Sequence, residues 1–265
     1  MISLGIIGWP LELTLSPKLH EYLFKITDVN GKYDRLPIQE LDSIKLGELL
    51  DDYTGLNITV PHKQSVYEEL VSTSSTSASV RAIGAANTIV IGNESISLHN
   101  TDYKGFLAEI YRLNYNPENK TVLILGSGGS SKSIQYALKS LNPKGVYVTS
   151  RKPHGKQLHY SELDSIRDQV QMIINTTPLG MPPYENETPL EDNIRFDNLE
   201  IAIDIGYRNK ESNFMKQYKD AEVVNGLGML IAQGIESFNL WTENKLFFPD
   251  LYQEVKELLE EEIYD

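Results

Sequence analysis

The sequence predicts an α/β protein, and three observations carry that prediction. Short apolar, strand-like runs alternate with helical patterns along the chain, as they do where a mostly parallel sheet is covered by helices. One run, Thr121-Val122-Leu123-Ile124-Leu125, reads as a continuous buried strand and passes straight into a glycine turn and a helical stretch. No segment repeats at a fixed period, and 265 residues leave room for two domains of ordinary size or one large one.

Taken in order, a first unit has expected strands at residues 2–8, 33–37, 56–60, 88–91 and 95–99, and expected helices at 18–27, 45–52 and 62–71. The opening Met1-Ile2-Ser3-Leu4-Gly5-Ile6-Ile7 has no basic start and no long apolar core, so it reads as a first strand and not as a signal peptide. Ile58 to Val60 ends a buried strand, Pro61 suits the first position of a helix, and residues 62–71 alternate polar and apolar side chains as an amphipathic helix does. The Ser/Thr-rich stretch 72–79 reads as a flexible connector. A second unit opens with a helix at 105–113 and a loop at 114–120, followed by the strand 121–125, a helix at 132–140 and a strand at 145–149. The acidic tail 254–265 reads as a solvated terminal helix that packs one apolar stripe, Val255, Leu258 and Leu259.

Composition narrows the function classes. Apolar residues at 40% and charged residues at 23% describe a globular protein with an ample core. A net charge of −13 argues against a broad nucleic-acid or anionic-membrane surface, because both need clustered Lys and Arg. An anionic substrate must then be held by a local site. The absence of cysteine removes disulfides, thiolate nucleophiles and Cys-ligated metals. With no signal peptide and no run of membrane-spanning length, the expected location is cytoplasmic.

Two segments carry chemistry in the first unit. Asn57-Ile58-Thr59-Val60-Pro61-His62-Lys63 and Asn100-Thr101-Asp102 set one lysine and one aspartate just past separate strands. Such a pair can move a proton. A lysine in the first turn of a helix opposes the macrodipole by roughly 0.3–1 kcal/mol, so it needs solvent or a carboxylate, and Asp102 is the candidate. The same residues also fit a solvated lysine and an N-cap for a helix beginning near Tyr103.

In the second unit, Gly126-Ser127-Gly128-Gly129-Ser130-Ser131 stands between strand and helix. That order forms a phosphate cradle. Gly126 permits the tight turn, Gly128 lets the backbone approach a pyrophosphate, and the helix N-terminus supplies donors; Ser131 replaces the third glycine with a small side chain that still allows close packing. The next strand ends in Ser150-Arg151-Lys152. An acidic residue here favours NAD, whereas arginine clamps a phosphate on the ribose, so the turn favours NADP.

Gly8-Trp9-Pro10, Thr14-Leu15-Ser16-Pro17-Lys18-Leu19-His20, Asn57 to Lys63, Gly84-Ala85-Ala86-Asn87-Thr88, Asn100-Thr101-Asp102 and the glycine loop, continued by Asn175-Thr176-Thr177-Pro178-Leu179-Gly180-Met181, Asp204-Ile205-Gly206-Tyr207 and Gly226 to Gln233, resemble the shikimate dehydrogenase family in order and spacing. The resemblance runs from about residue 5 to about residue 241. It implies reversible NADPH-dependent reduction of 3-dehydroshikimate to shikimate, on the path to aromatic amino acids. It implies a substrate domain of residues 1–103 and 228–265, an NADP-binding Rossmann domain of residues 104–227, and a cleft between them. By the same resemblance, Lys63 and Asp102 are the catalytic pair, Thr14 and Ser16 hold the substrate carboxylate, Thr59, Asn87 and Gln233 are further polar contacts, and Tyr207 lies beside the substrate. Gly126 to Ser131, Ser150, Arg151, Lys152, Thr176, Thr177, Pro178, Gly228 and Met229 are the implied cofactor contacts. Met181, Leu227 and Met229 fit either the flank of the nicotinamide or the core, the commoner place for apolar residues near a helix start. No nucleic acid or membrane partner is implied, and the expected state is a monomer or homodimer.

The chain departs from the family pattern at three places. Thr14 stands where serine is usual, Asn209 where a proline commonly follows the tyrosine, and Gly155, with Lys156 beside it, where a second arginine is usual. The extra methyl of Thr14 bears on how the carboxylate is held and on tolerance of quinate. A quinate or dual quinate/shikimate dehydrogenase would share this framework, and so would a regulator that senses the nucleotide and has no chemistry; a sensor, however, has no need of Lys63 and Asp102. His20, His62 and His99 have no ligand-spaced partners and are expected in hydrogen-bonding or surface roles, with no metal site.

Overall fold

Strand β1 (Ile2–Gly8) is buried from Leu4 onward, as a central strand covered on both faces must be. It anchors a six-stranded sheet in the computed structural model, which describes residues 1–208 and 211–264; Asn209 therefore lies outside the described residues. The order of elements is β1, α1 (Ser16–Thr27), β2 (Gly31–Pro37), α2 (Ser43–Asp52), β3 (Gly55–Ile58), α3 (Lys63–Leu70), β4 (Ser75–Thr76), α4 (Ala78–Ile83), β5 (Thr88–Ile91), β6 (Ile96–His99), α5 (Asp102–Arg112), β7 (Thr121–Leu125), α6 (Gly129–Lys139), β8 (Gly145–Thr149), β9 (Val170–Asn175), β10 (Ile201–Asp204), α7 (Asn213–Gln217), β11 (Glu222–Asn225), α8 (Leu227–Thr242) and α9 (Phe248–Tyr264). A 3-10 helix, Tyr160–Ser165, lies between β8 and β9.

The chain divides into two compact units, one of Met1–Glu109 with Leu230–Asp265 and one of Ile110–Met229, so both borders fall inside helices, α5 and α8. The first unit's sheet runs β2-β1-β3-β5-β6-β4. β1 pairs parallel with β2 and β3, whereas β3/β5 and β5/β6 are antiparallel. This reversal positions the site. Asn57 lies opposite Thr88 and Thr88 opposite His99, so the end of β3, the start of β5 and the end of β6 share one sheet end. Ile58 N donates to Asn87 O (2.8 Å) and Asn87 N to His99 O (3.1 Å) across that end.

One face of this sheet packs Ile7, Leu56, Ile58, Ile89 and Leu98 against Leu46 and Leu49 of α2, Val66 and Leu70 of α3 and Val80 of α4. Burying each such aliphatic side chain contributes roughly 1.5–3 kcal/mol. α1 packs on β2 and α9 and meets α8 through Phe24 and Phe238, whose rings are 5.4 Å apart, edge to face. The second unit holds a wholly parallel sheet, β11-β10-β9-β7-β8, with β7 buried at every residue. Leu123, Leu125, Ile173, Ala202 and Phe214 lie in its core.

Several boundaries differ from expectation. The strand read as 56–60 ends at Ile58, and Pro61 does not begin a helix: the Val60-Pro61 peptide is cis, His62 N donates to Thr59 O (2.9 Å) to close a turn, and α3 starts at Lys63. Residues 72–79 are more ordered than a connector, because Ser75 and Thr76 pair with Ser97 and Leu98, and the Ser77 side chain accepts from Val80 N to cap α4. α6 starts at Gly129, three residues before the expected helix, so the glycine loop itself forms its first turn. In α9, Val255 and Leu259 are buried while Leu258 is half-buried, and the helix begins at Phe248 because residues N-terminal to the acidic tail continue it.

Candidate active site

At the shared sheet end, Lys63 opens α3 and Asp102 opens α5. Lys63 Nζ donates to Asp102 Oδ2 at 2.7 Å, and the two residues are only 9% and 5% exposed. A helix N-terminus disfavours the ammonium and favours the carboxylate, so the pairing offsets the first effect with the second. Asn87, just before β5, donates to the other oxygen, Asp102 Oδ1, at 3.0 Å. Both oxygens of the Asp102 side chain thus accept a hydrogen bond. The plainer readings of these residues do not hold. Lys63 is not solvated, and the side chain that caps α5 is Asn100, whose Oδ1 accepts from Tyr103 N (3.3 Å).

The cluster extends into α8. Gln233 Oε1 accepts from Asn87 Nδ2 (3.3 Å) and Thr101 Oγ1 (3.5 Å), and Gln233 Nε2 donates to Leu230 O (2.9 Å). Thr14 and Ser16 form a separate pair at the start of α1: Thr14 Oγ1 donates to Ser16 Oγ at 3.3 Å, both residues are buried, and Arg35 Nη2 donates to Thr14 O (3.3 Å). Thr59 is half-buried in the turn after β3. Tyr207 belongs to the second unit, just past β10.

Behind the pair lie residues the sequence reading did not assign as site residues. Tyr33 Oη donates to Asn57 Oδ1 (2.7 Å), Asn57 Nδ2 donates to Thr88 Oγ1 and Ser237 Oγ (both 3.1 Å), and Thr101 Oγ1 lies 3.0 Å from Ser237 Oγ and 2.8 Å from Asn87 Nδ2. Asn57 and Thr101 stood inside singled-out segments and carried that signal. Ser237, four residues after Gln233 on α8, carried none beyond helical spacing.

In the second unit, the glycine loop fits a pyrophosphate. Gly126 has φ +101, a conformation L side chains rarely adopt, and an added Cβ would lie 2.9 Å from Thr176 Oγ1. At Gly128, the N-cap of α6, an added Cβ would meet only open space, so the glycine keeps clear room over the helix N-terminus. Gly129, Ser130 and Ser131 make the first turn of α6; Ser131 is fully buried beneath it and its Oγ accepts from Gln135 Nε2 (3.2 Å). Ser127 Oγ donates to Ser150 Oγ (3.2 Å), tying the ends of β7 and β8, and Ser150 Oγ accepts from Lys152 N (3.2 Å). Arg151 and Lys152 are exposed on that turn. Thr176 Oγ1 donates to Leu125 O (2.7 Å), Thr177 Oγ1 donates to Asn175 Oδ1 (2.7 Å), and Pro178 follows. Gly228 and the buried Met229 open α8, next to Leu227.

Asp204 and His20 are buried titratable groups outside both clusters. Asp204, at the end of β10, accepts from Ser212 Oγ (2.6 Å), Gly206 N (3.0 Å) and Asn175 Nδ2 (3.1 Å), yet burial outweighs these bonds and pushes its pKa up to about 6. His20 corrects an expectation, because it is neither at the surface nor hydrogen-bonded through its ring. It is fully buried on the inner side of α1 and stacked on Tyr33 at 4.2 Å, neither ring nitrogen makes a hydrogen bond of normal geometry, and burial, opposed only in part by the nearby Asn57 side chain, lowers its pKa to about 3. His62 Nε2 lies 2.6 Å from Ile38 O, and His99 Nε2 2.8 Å from Ser97 Oγ, as hydrogen-bonding roles require.

Residues 6–89 match the shikimate dehydrogenase substrate binding domain, and residues 226–245 the shikimate 5'-dehydrogenase C-terminal domain. A shikimate dehydrogenase (NADP(+)) of Carboxydothermus hydrogenoformans is 33% identical over 256 residues, 90% of either chain. Among solved structures, shikimate dehydrogenase 1 from Peptoclostridium difficile superposes with a TM-score of 0.87 at 30% identity, covering 98% of this chain and 100% of that one. A shikimate dehydrogenase in complex with NADP+ gives 0.82 at 25% identity, covering 100% of this chain and 96% of that one. Similarity of this extent spans both sheets and the segments that carry the Lys63–Asp102 pair and the glycine loop, so the chain belongs to the shikimate dehydrogenase family.

Proposed function

We propose that this chain is an NADP-dependent oxidoreductase that interconverts 3-dehydroshikimate and shikimate, with Lys63 and Asp102 as its catalytic pair. The observation that carries the reading is the buried 2.7 Å contact between Lys63 Nζ and Asp102 Oδ2, with Asn87 on the second carboxylate oxygen. As the substrate ketone becomes an alcohol its oxygen gains negative charge, and the Lys63 ammonium stabilises that charge and donates the proton. In the oxidative direction the neutral amine takes the proton back. Asp102 aims Lys63 and accepts from a neighbouring ring hydroxyl. Thr14 and Ser16 donate hydroxyls to the substrate carboxylate, and Thr59, Asn87, Gln233 and Tyr207 complete the polar contacts.

NADPH, when bound, supplies the hydride. Backbone donors from Gly126 to Ser131 at the start of α6 would hold its pyrophosphate, Arg151 and Lys152 the ribose phosphate, with Ser150 at their base, and Thr176, Thr177, Pro178, Gly228 and Met229 would frame the remainder. Residues 1–103 with 228–265 would be the substrate-binding domain and 104–227 the cofactor domain; the chain would work as a monomer or homodimer in the cytoplasm. Among the described residues no helix is long and apolar enough to cross a membrane. The test is absorbance of NADP reduction with shikimate, repeated with NAD and with quinate. Turnover with shikimate and NADP well above the other combinations is expected; NADPH binding without turnover on any of these acids would overturn the reading in favour of a sensor.

A further inference from the structure

We propose that Ser237 is a positioning residue for substrate recognition: by taking the hydroxyl proton of Thr101 it keeps Gln233 Oε1 available to accept from the substrate. This rests on the reading that Gln233 contacts the substrate. Ser237 Oγ is fully buried and has four polar neighbours: Gln233 O (3.0 Å), Asn57 Nδ2 (3.1 Å), Thr88 Oγ1 (2.9 Å) and Thr101 Oγ1 (3.0 Å). A hydroxyl has one proton and two lone pairs, so the roles can be assigned. Gln233 O only accepts, and it receives the Ser237 proton. Asn57 Nδ2 has two protons and three acceptors at 3.1 Å, and it satisfies Thr88 Oγ1 and Asn87 O. Thr88 Oγ1 then donates to Ser237 Oγ at 2.9 Å, which leaves the second lone pair of Ser237 for Thr101.

Thr101 has no other good choice. Its oxygen accepts from Asn87 Nδ2 (2.8 Å), and the alternative acceptors for its proton are Gln233 Oε1 and Thr88 Oγ1, both at 3.5 Å, of which Thr88 Oγ1 already accepts from Asn57 Nδ2. Asn87 itself cannot turn over, because Thr101 N donates to Asn87 Oδ1 at 2.6 Å and fixes Nδ2 toward Asp102 and Gln233. Without Ser237 Oγ, the Thr101 proton moves to Gln233 Oε1 and competes with the substrate hydroxyl for the same acceptor. The displaced groups still have partners, since Thr88 Oγ1 also lies 3.2 Å from Asn87 Oδ1 and Asn57 Nδ2 3.1 Å from Asn87 O, so loss of the hydroxyl is compatible with folding.

The experiment is a double-mutant cycle of Ser237→Ala and Thr101→Val in steady-state shikimate oxidation, with Gln233→Ala alongside. Ser237→Ala is expected to raise the shikimate KM about 3–10-fold with kcat within about 2-fold, the size of one neutral hydrogen bond to substrate. In the Thr101→Val background, which has no hydroxyl proton to redirect, adding Ser237→Ala should leave KM unchanged. A wild-type KM for Ser237→Ala, or an equal KM rise in both backgrounds, overturns the inference. Should Ser237→Ala not fold, Ser237→Cys provides the same comparison, because a thiol is a weak acceptor. Gln233→Ala separates the two levels: a raised KM there with no effect at Ser237 sinks the Ser237 role alone, whereas an unchanged KM there sinks the substrate contact and this inference with it.

Discussion

The sheet end of the first unit and the glycine turn of the second are built on opposite plans. At the sheet end, side chains from residues 63, 87, 101, 102, 233 and 237 satisfy one another in a buried lattice. In the glycine turn, backbone geometry does the shaping: Gly126 has φ +101 and Gly128 has open space where a side chain would stand. A lattice of side chains is specific but vulnerable at each member, because removing one partner strands the others. A cradle of backbone tolerates sequence change except where a Cβ intrudes. The difference teaches where each unit should break.

The largest effect is expected in the lattice. Lys63→Ala should lower kcat by roughly 10²–10⁴-fold, the usual contribution of a positioned acid or base, while calorimetry still detects shikimate binding. Unchanged turnover would remove Lys63 from the chemistry.

Next in size is a pH contrast between the units. Asp204 has a folded pKa of about 6 against an ordinary 3.8, so its carboxylate costs nothing below about pH 4, and the second unit loses stability as pH rises toward 6, by at most roughly 3 kcal/mol. His20 has the reverse sign. Its folded pKa of about 3 lies below the ordinary 6.5, so the first unit is at full strength above 6.5 and weakens as pH falls from there. Trp9 and Trp241, the two tryptophans of the chain, both lie in the first unit, so urea melts followed by tryptophan fluorescence report on His20. Hydrogen exchange in β7, β9 and β10 reports on Asp204. Parallel pH trends in the two signals would refute the contrast; Asp204→Asn should flatten the second.

Arg151→Ala should raise the NADP KM about 10–100-fold, the range of a lost charge-assisted bond, and leave the NAD KM nearly unchanged. Equal loss for both cofactors would mean that Arg151 does not read the ribose phosphate. The smallest effect sharpens the comparison most. Gly128→Ala should melt like the wild type yet bind NADPH about 10-fold more weakly, whereas Gly126→Ala should lose about 1–3 kcal/mol of stability from its backbone alone. Reversal of the two outcomes would show that the open space at Gly128 is not a ligand's.

The glycine turn was legible because its parts are contiguous. An apolar pentapeptide, a glycine run and a helix in sequence order dictate their own local geometry, and β7 and β8 have the expected bounds. The sheet end was legible only in part. Lys63 and Asp102 were conspicuous as charges beside strand ends, but the pairing rests on β5 and β6 running antiparallel beside β3, which no local pattern states. Pro61 misled because proline suits both a helix start and a turn, and here the turn from Thr59 to His62 prevails. Ser237 and His20 were opaque for a related reason: a serine or histidine on a helix reads the same whether it meets water, a hydroxyl or a stacked ring.

By itself the sequence determined the alternation of strands and helices, the glycine turn and the basic turn after β8, since each depends on neighbours along the chain and on residue types with strong conformational or charge preferences. Only the tertiary structure decided which polar groups meet, in which direction their hydrogens point, and which titratable groups are buried. Those properties depend on residues separated by up to 180 positions, as Asn57 and Ser237 are, and a hydrogen bond has no meaning until both partners are in place.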